Sequence, residues 1–236
     1  MPVFGGHAVT PPLAVSVVVF DIDGTLVDFG AAFQAGLRAT ALDLSRLVGR
    51  EVPVRDLWAA QQAAGSVLDG RPGGRGQYRM AALRSALASF SCDEGQVAAL
   101  IDVFTAARDG LVQPYTDAES TVVALRARGF ELIAASNGNS DLTRLPLFDH
   151  FKTRWLAAEV GLSKPDPRFF LGALERVGVR PEAAVMVGDR LDNDYEPARS
   201  VGMHAVLVDR ERKVEDPSVL RVSALAELLE LVERAG

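Results

Sequence analysis

The residues in this chain best suited to chemistry are carboxylates at the ends of apolar runs. Asp21-Ile22-Asp23-Gly24-Thr25-Leu26-Val27-Asp28 follows residues 15–20 (VSVVVF) directly. Aspartates at i and i+2 leave the end of a strand toward one side. Two carboxylates held together repel, and desolvating them is costly. A divalent cation relieves both penalties, and hard oxygen ligands suit magnesium. Gly24 permits a tight turn where the backbone must bend around such a site. Asp-Gly is also common in plain surface turns. Four fixed residues placed directly after a strand make the chemical reading the stronger one.

Three more strings have the same setting. Ser136-Asn137-Gly138 follows the apolar run 130–135, where a hydroxyl and exposed amides make a phosphate cradle. Taken alone it is simply a turn. Lys164 sits in Gly161-Leu162-Ser163-Lys164-Pro165-Asp166-Pro167, with two prolines fixing the local backbone. An isolated lysine is usually a solvated surface charge. Gly188-Asp189-Arg190-Leu191-Asp192-Asn193-Asp194 follows the run 183–187 and adds carboxylates at another strand end. Asp and Asn also favour helix N-caps, and both roles can coexist.

The elements that must position these residues follow from periodicity. Nearly continuous apolar runs at 15–20, 130–135, 183–187 and 204–208 read as strands covered on both faces, with 153–158 a weaker candidate. Helical patterns at 120–128, 167–177 and 196–201 separate several of them. That alternation predicts an α/β fold, a parallel sheet with helices on both faces. Open sheets of this kind bind ligands at the carboxyl ends of their strands. Residues 29–112 are different, with helical patterns at 31–48, 54–68, 77–90 and 94–108 and no convincing strand. Asp93 and Gln96 have the spacing of a capping box. A glycine-rich stretch at 70–76 (GRPGGRG) splits the second helix from the third. Residues 223–233 read as a closing helix.

The four strings, in this order, resemble the motifs of the haloacid dehalogenase superfamily, and the likeness covers nearly the whole chain after the first dozen residues. It implies a Rossmann-like core of residues 1–28 and 113–236, with residues 29–112 as an α-helical cap inserted between the first and second motifs. It implies a magnesium-dependent phosphatase acting on a small-molecule phosphate ester. In that scheme Asp21 is the nucleophile and forms an aspartyl-phosphate, and Asp23 is the general acid and base. Ser136, the amides of Asn137 and Gly138, and Lys164 hold the phosphate. Magnesium is held by Asp21, Asp189 and the backbone carbonyl of Asp23. Asp194 is expected outside the direct ligands, with Asp192 as the alternative. Family members often carry Ser where Arg190 stands, and Arg190 is expected to point to solvent.

Asp23 separates the activities within the superfamily. The dehalogenase and phosphonate-cleaving members resemble this chain but lack an aspartate there, because a departing halide needs no proton. Phosphomutases keep both aspartates. A catalytically silent binding protein is the other class of reading, but such a relative should have lost Asp21, Asp23, Lys164 or Asp189, and all four are present.

The substrate is not legible. Arg71, Arg75 and Arg79 surround the glycine-rich stretch and could hold a second anionic group, Arg75 being the candidate; a solvated loop with scattered charge is the simpler reading. Gln34, Trp58 and Gln62 could face the site, with Trp58 expected to pack between helices. Among the 236 residues, 25 Lys and Arg against 31 Asp and Glu give a net charge of −6. That argues against nonspecific binding to nucleic acid or to an anionic membrane. Cys92 is the only cysteine, so an internal disulfide and a cysteine-based zinc site are excluded. The apolar run at 13–20 is too short to span a bilayer, and no basic segment precedes it. The expectation is a cytoplasmic monomer or homodimer.

Overall fold

The computed structural model describes residues 12–68, 75–138 and 145–235. In chain order it begins with strands β1 (Leu13–Val15) and β2 (Val17–Phe20). Four helices follow: α1 (Phe29–Val48), α2 (Val54–Leu68), α3 (Arg75–Ser89) and α4 (Glu94–Asp109). Then come α5 (Ala118–Ala127), β3 (Glu131–Ser136), β4 (Thr153–Leu156), α6 (Ala157–Val160) and α7 (Pro167–Glu175). The chain continues through β5 (Ala184–Gly188), a π turn at Leu191–Tyr195, α8 (Glu196–Ser200) and β6 (His204–Val208). It closes with β7 (Arg221–Val222), α9 (Leu228–Leu231) and β8 (Val232–Arg234). No helix among the described residues is long and apolar enough to cross a membrane.

The main sheet has six strands in the order β4-β3-β2-β5-β6-β7, and every pairing is parallel. This is the Rossmann-like α/β architecture that the alternation of elements predicts. Period-two alternation explains its two layers of core. Val18 and Phe20 of β2, with Leu132 of β3 and Val185 of β5, face a cluster that includes Val122 and Leu125 of α5. Val17 and Val19, with Ile133 and Met186, face the other, where Phe169, Phe170 and Leu174 of α7 pack. Full burial of such side chains is worth about 1.5–3 kcal/mol each. Because β2 is central and the chain runs first to β3 and β4, then back to β5, the order reverses at β2. The crevice at the carboxyl end of β2 is thus the topological switch point.

Helices α1 to α4 form a bundle around a core of their own, including Leu37, Leu44, Leu57, Leu87 and Phe104. Helices α1 and α4 approach closely because Gly36 lacks a side chain; a Cβ there would lie 2.8 Å from the Phe104 ring. The predicted capping box is present at α4, with Gln96 N–H donating to Asp93 Oδ1 at 2.8 Å and Asp93 N–H donating to Gln96 Oε1 at 2.9 Å. The chain enters and leaves the bundle through adjacent segments. Asp28 N–H donates to the Gln113 carbonyl at 3.0 Å, and Tyr115 N–H donates to the Leu26 carbonyl at 2.9 Å.

Two expectations are corrected. The first strand is broken at Ser16, which turns aside to donate to the Ala183 carbonyl. The tail is not a single helix: α9 is four residues long, and β8 then pairs in parallel with β1 as a separate two-stranded sheet. The Leu-rich spacing of the tail is helical, but the open edge of β1 offers backbone partners, and that tertiary contact overrides local preference.

Candidate active site

Strand β2 ends where Asp21 N–H donates to the Val187 carbonyl of β5 at 2.8 Å. The next residues form a tight loop, closed by Leu26 and Val27 N–H groups donating to the Ile22 carbonyl at 2.9 and 3.0 Å. Ile22, Leu26 and Val27 are buried and pin the loop to the core. Gly24 sits at φ +88°, and a Cβ there would lie 2.5 Å from Asp189 Oδ2. Only glycine lets the loop pass so close to that carboxylate.

The loop after β3 carries Ser136, Asn137 and Gly138. Gly138 N–H donates to Ser136 Oγ at 2.7 Å. A Cβ on Gly138 would lie 2.5 Å from Asp23 Oδ2, so Asp23 rests over this turn. Asn137 has a function the sequence did not reveal. Its Nδ2 donates to the Lys164 carbonyl at 2.7 Å, and Lys164 N–H donates back to its Oδ1 at 2.9 Å. This reciprocal amide clamp fixes the Lys164 loop against the end of β3. The Lys164 side chain is fully buried, and its Nζ donates to Asp21 Oδ1 and, at 2.6 Å, to Asp194 Oδ1.

Asp189 follows β5 directly, and the π turn that comes next aims Asp194 back under the strand end. Asp194 N–H and Tyr195 N–H both donate to the Arg190 carbonyl, at 3.0 and 3.1 Å. A π turn widens the helix by a residue and often marks a functional site. Asp21, Asp189 and Asp194 each offer an oxygen within 4.8 Å of the others, enough to hold a metal ion. Asp194 lies beside the other two with both oxygens taken by protein donors, Oδ1 by Lys164 Nζ at 2.6 Å and Oδ2 by Arg190 N–H at 3.2 Å. Asp192 points away, in an ion pair with Arg190 at 2.9 Å. Arg190 likewise ends half-exposed in that pair at the rim of the cavity.

The electrostatics of the cluster follow from burial. Desolvation lifts Asp21 to about 6, aided by Asp189 and Asp23 and opposed by Lys164. Asp194 is raised to about 6 by burial and by Asp21, against Lys164. Asp189, which opens onto the cavity, is raised to about 6 by partial desolvation and by Asp194. Burial raises Asp23 to about 6 as well, with Arg79, Lys164 and Arg108 pulling the other way. Buried Lys164 is held above its usual value by the Asp21 and Asp194 carboxylates, which outweigh its desolvation. One lysine thus faces more carboxylates than it can neutralise. Hard oxygen donors packed at this density fit a divalent cation such as magnesium, and excess negative charge is what such an ion offsets.

These groups open into a cavity of about 470 Å³ between the sheet edge and the helical bundle. Asp21, Asp23, Ser136, Asn137, Gly138 and Asp189 line it from the sheet. From the bundle come Gln34, Trp58, Gln62 and Arg79, as the sequence suggested, and also Gln61 and Arg108. Trp58 of α2 meets Phe33 of α1 edge-on at 5.8 Å, as expected of a residue packing between helices, and its 39% exposed face also walls the cavity. Arg75 begins α3, but its side chain lies outside the described residues, as does all of Arg71. Arg108 and Gln61 were missed, since nothing local distinguishes a buried polar helix residue from an exposed one.

A second network supports the loop from outside. Arg210, beyond β6, donates to Asp117 Oδ2 and Oδ1 at 3.1 Å each and to the Thr25 carbonyl at 3.0 Å, while its guanidinium stacks 3.8 Å from the Tyr115 ring.

Comparison with known proteins agrees with this architecture. Residues 15–202 match the family model of haloacid dehalogenase-like hydrolases, and the chain belongs to that family. A ribulose-1,5-bisphosphate 5-phosphatase of Halopiger xanaduensis is 30% identical over 205 residues, covering 82% of this chain and 84% of the relative. A phosphoserine phosphatase of Thermus thermophilus is 43% identical over 122 residues, 48% of this chain and 49% of the relative, so that match spans about half the length of either protein. Among solved structures, a 2-haloacid dehalogenase from Pseudomonas syringae superposes with a TM-score of 0.72 at 31% identity, covering 92% of this chain and 97% of the other.

Proposed function

We propose that this protein is a magnesium-dependent phosphatase that hydrolyses a small phosphomonoester through an aspartyl-phosphate on Asp21. The observation that carries the reading is the placement of two aspartates on one cavity. Asp21 is tied to buried Lys164, and Asp23 is raised to about 6 over the Ser136–Gly138 turn. A nucleophilic carboxylate and a carboxylic acid on the same substrate are what an alcohol leaving group requires.

In the first step an Asp21 carboxylate oxygen attacks phosphorus. The new O–P bond forms as the bond to the substrate oxygen breaks, and Asp23 gives that oxygen its proton. In the second step Asp23, now a carboxylate, takes a proton from water. The water oxygen bonds to phosphorus, the Asp21–phosphorus bond breaks, and inorganic phosphate leaves. Ser136 Oγ, the backbone amides of Asn137 and Gly138, and Lys164 Nζ stabilise the oxygens of the transferring group. Asp21, Asp189 and the Asp23 carbonyl would hold the metal, with Asp194 behind them, held by Lys164 and the Arg190 amide. When bound, magnesium supplies positive charge against the nucleophile and the phosphoryl oxygens.

Residues 29–112 serve as a cap in this scheme. They wall the cavity opposite Asp21, exclude water during the first step, and choose the leaving group. Likeness to a dehalogenase makes halide displacement the second reading. Asp23 is superfluous to that chemistry.

The test is phosphate release with magnesium from a panel of phosphorylated metabolites, with a 2-haloacid as a further substrate and Asp21→Asn alongside. The reading expects metal-dependent phosphate release by the wild type, no release by Asp21→Asn, and no halide. Halide release, or folded wild-type protein inert toward every ester, would end it.

A further inference from the structure

The bundle side of the cavity carries charge of one sign. Among the described residues lining it, the helices contribute Arg79 and Arg108 and no carboxylate. The acidic lining residues, including Asp28, Asp189 and Glu211, all come from loops outside those helices.

Arg108 is the unusual member. It sits in the last turn of α4 and is 3% exposed. Its guanidinium lies 6.0 Å from the Phe29 ring centroid and 5.6 Å from that of Phe104. Nε donates to Asp109 Oδ1 at 2.6 Å, and Nη1 reaches only the Met80 sulfur at 4.0 Å. A guanidinium has five N–H donors, and thioether sulfur is a weak acceptor. Its remaining donors meet no oxygen among the described residues, and Arg108 lines the cavity, so an anionic group there could accept from them. Arg79 stacks beside it, 5.7 Å from the same Phe29 ring and 5.6 Å from Phe33.

Gln61 gives an independent sign of a ligand. It is 3% exposed and lines the cavity. Its Nε2 donates to the Arg79 carbonyl at 3.2 Å, which fixes the orientation of the amide. Its buried Oε1 then has no hydrogen-bond partner among the described residues. A buried acceptor without a donor is rare and calls for one.

We propose that Arg79, Arg108 and Gln61 form a subsite for a second anionic group, a carboxylate or a second phosphate, on the leaving part of the phosphate ester. A neighbouring hydroxyl or ammonium of the same substrate donates to Gln61 Oε1. The inference rests on the phosphatase reading above and narrows its substrate class.

Four esters test it. O-Phosphoserine carries a carboxylate and an ammonium, and ribulose 1,5-bisphosphate carries a second phosphate and hydroxyls; both are named for relatives of this chain. Glyceraldehyde 3-phosphate, also named for relatives, and p-nitrophenyl phosphate carry no second anion. Wild-type kcat/KM is expected to be at least about tenfold higher for one of the first pair than for either of the second, since charge-assisted hydrogen bonds are at stake. Whichever of the first pair leads identifies the anion. Arg79→Gln and Arg108→Gln should each cut that preference by roughly tenfold, chiefly through KM. Arg79 is exposed, so its variant is informative even where Arg108→Gln fails to fold. Equal kcat/KM across all four esters, or a preference untouched by Arg79→Gln, would overturn the subsite and leave the phosphatase reading standing. Inactivity on all four would bring down the phosphatase reading and the subsite with it.

Discussion

Replacing Asn137 with alanine isolates the device that holds the buried lysine. The side chain makes two hydrogen bonds to the Lys164 backbone, at 2.7 and 2.9 Å. Each is worth about 1 kcal/mol net, and leaving the partly buried Lys164 N–H without an acceptor adds about 1–2 kcal/mol, so the total loss is roughly 3–4 kcal/mol. For a chain of this length that lowers Tm by roughly 5–15 °C. The kinetic effect is separate. Lys164 Nζ touches both Asp21 and Asp194, and freeing its backbone lets the ammonium drift from the nucleophile. Misplacement by about an ångström costs on the order of a hundredfold in rate. The backbone amide of residue 137 survives the substitution, so KM should change little while kcat falls. Thermal unfolding and steady-state phosphate release, with and without Asn137→Ala, give both numbers. A variant with wild-type Tm and kcat within about threefold of wild type would refute the clamp, as would a change confined to KM.

Two further expectations follow from the electrostatics. Asp21, Asp23, Asp189 and Asp194 are raised from 3.8 to about 6, so the metal-free native state holds protons that the unfolded chain has released across that range. These groups therefore make stability fall as pH rises from about 4 through about 6. Magnesium should reverse the loss: at a hundred times its Kd it adds about 2.7 kcal/mol, and the rise in Tm should be larger at pH 7 than at pH 5, where protons compete. An identical shift at both pH values would contradict the carboxylate cluster as the metal site. For the outer network, Arg210→Gln removes the bidentate pair with Asp117 and the bond to the Thr25 carbonyl. A loss of about 2–3 kcal/mol in urea unfolding is expected, with a drop in kcat as the Asp21–Asp28 loop loosens.

The sequence disclosed what is local. An apolar run that ends in charged residues marks both a strand and its edge, so β2, β3 and β5 and the residues at their carboxyl ends were legible together. The helices of the bundle were legible from their period, and α2 matches the expected residues 54–68. What could not be read depends on meetings in space. The Asn137 clamp joins residues 27 apart, and Arg210 reaches Thr25 across 185 positions. Asp194 and Asp192 have the same chemistry, and only the widened π turn decides which one turns inward. The Leu-rich tail has a helical period, yet its end is taken up by the edge of β1. Trp58 and Arg108 show the reverse of residue averages, an exposed tryptophan and a buried arginine, because both border a cavity whose shape no single segment encodes.

The account depends above all on a covalent phosphoryl group at Asp21. Wild-type protein mixed with magnesium and excess phosphate ester, quenched in acid within a turnover and digested, can be analysed by mass spectrometry. A phosphorylated peptide spanning Asp21, absent from Asp21→Asn and from a metal-free control, is the predicted result. Active enzyme whose Asp21 peptide is never phosphorylated under conditions that accumulate product would contradict it.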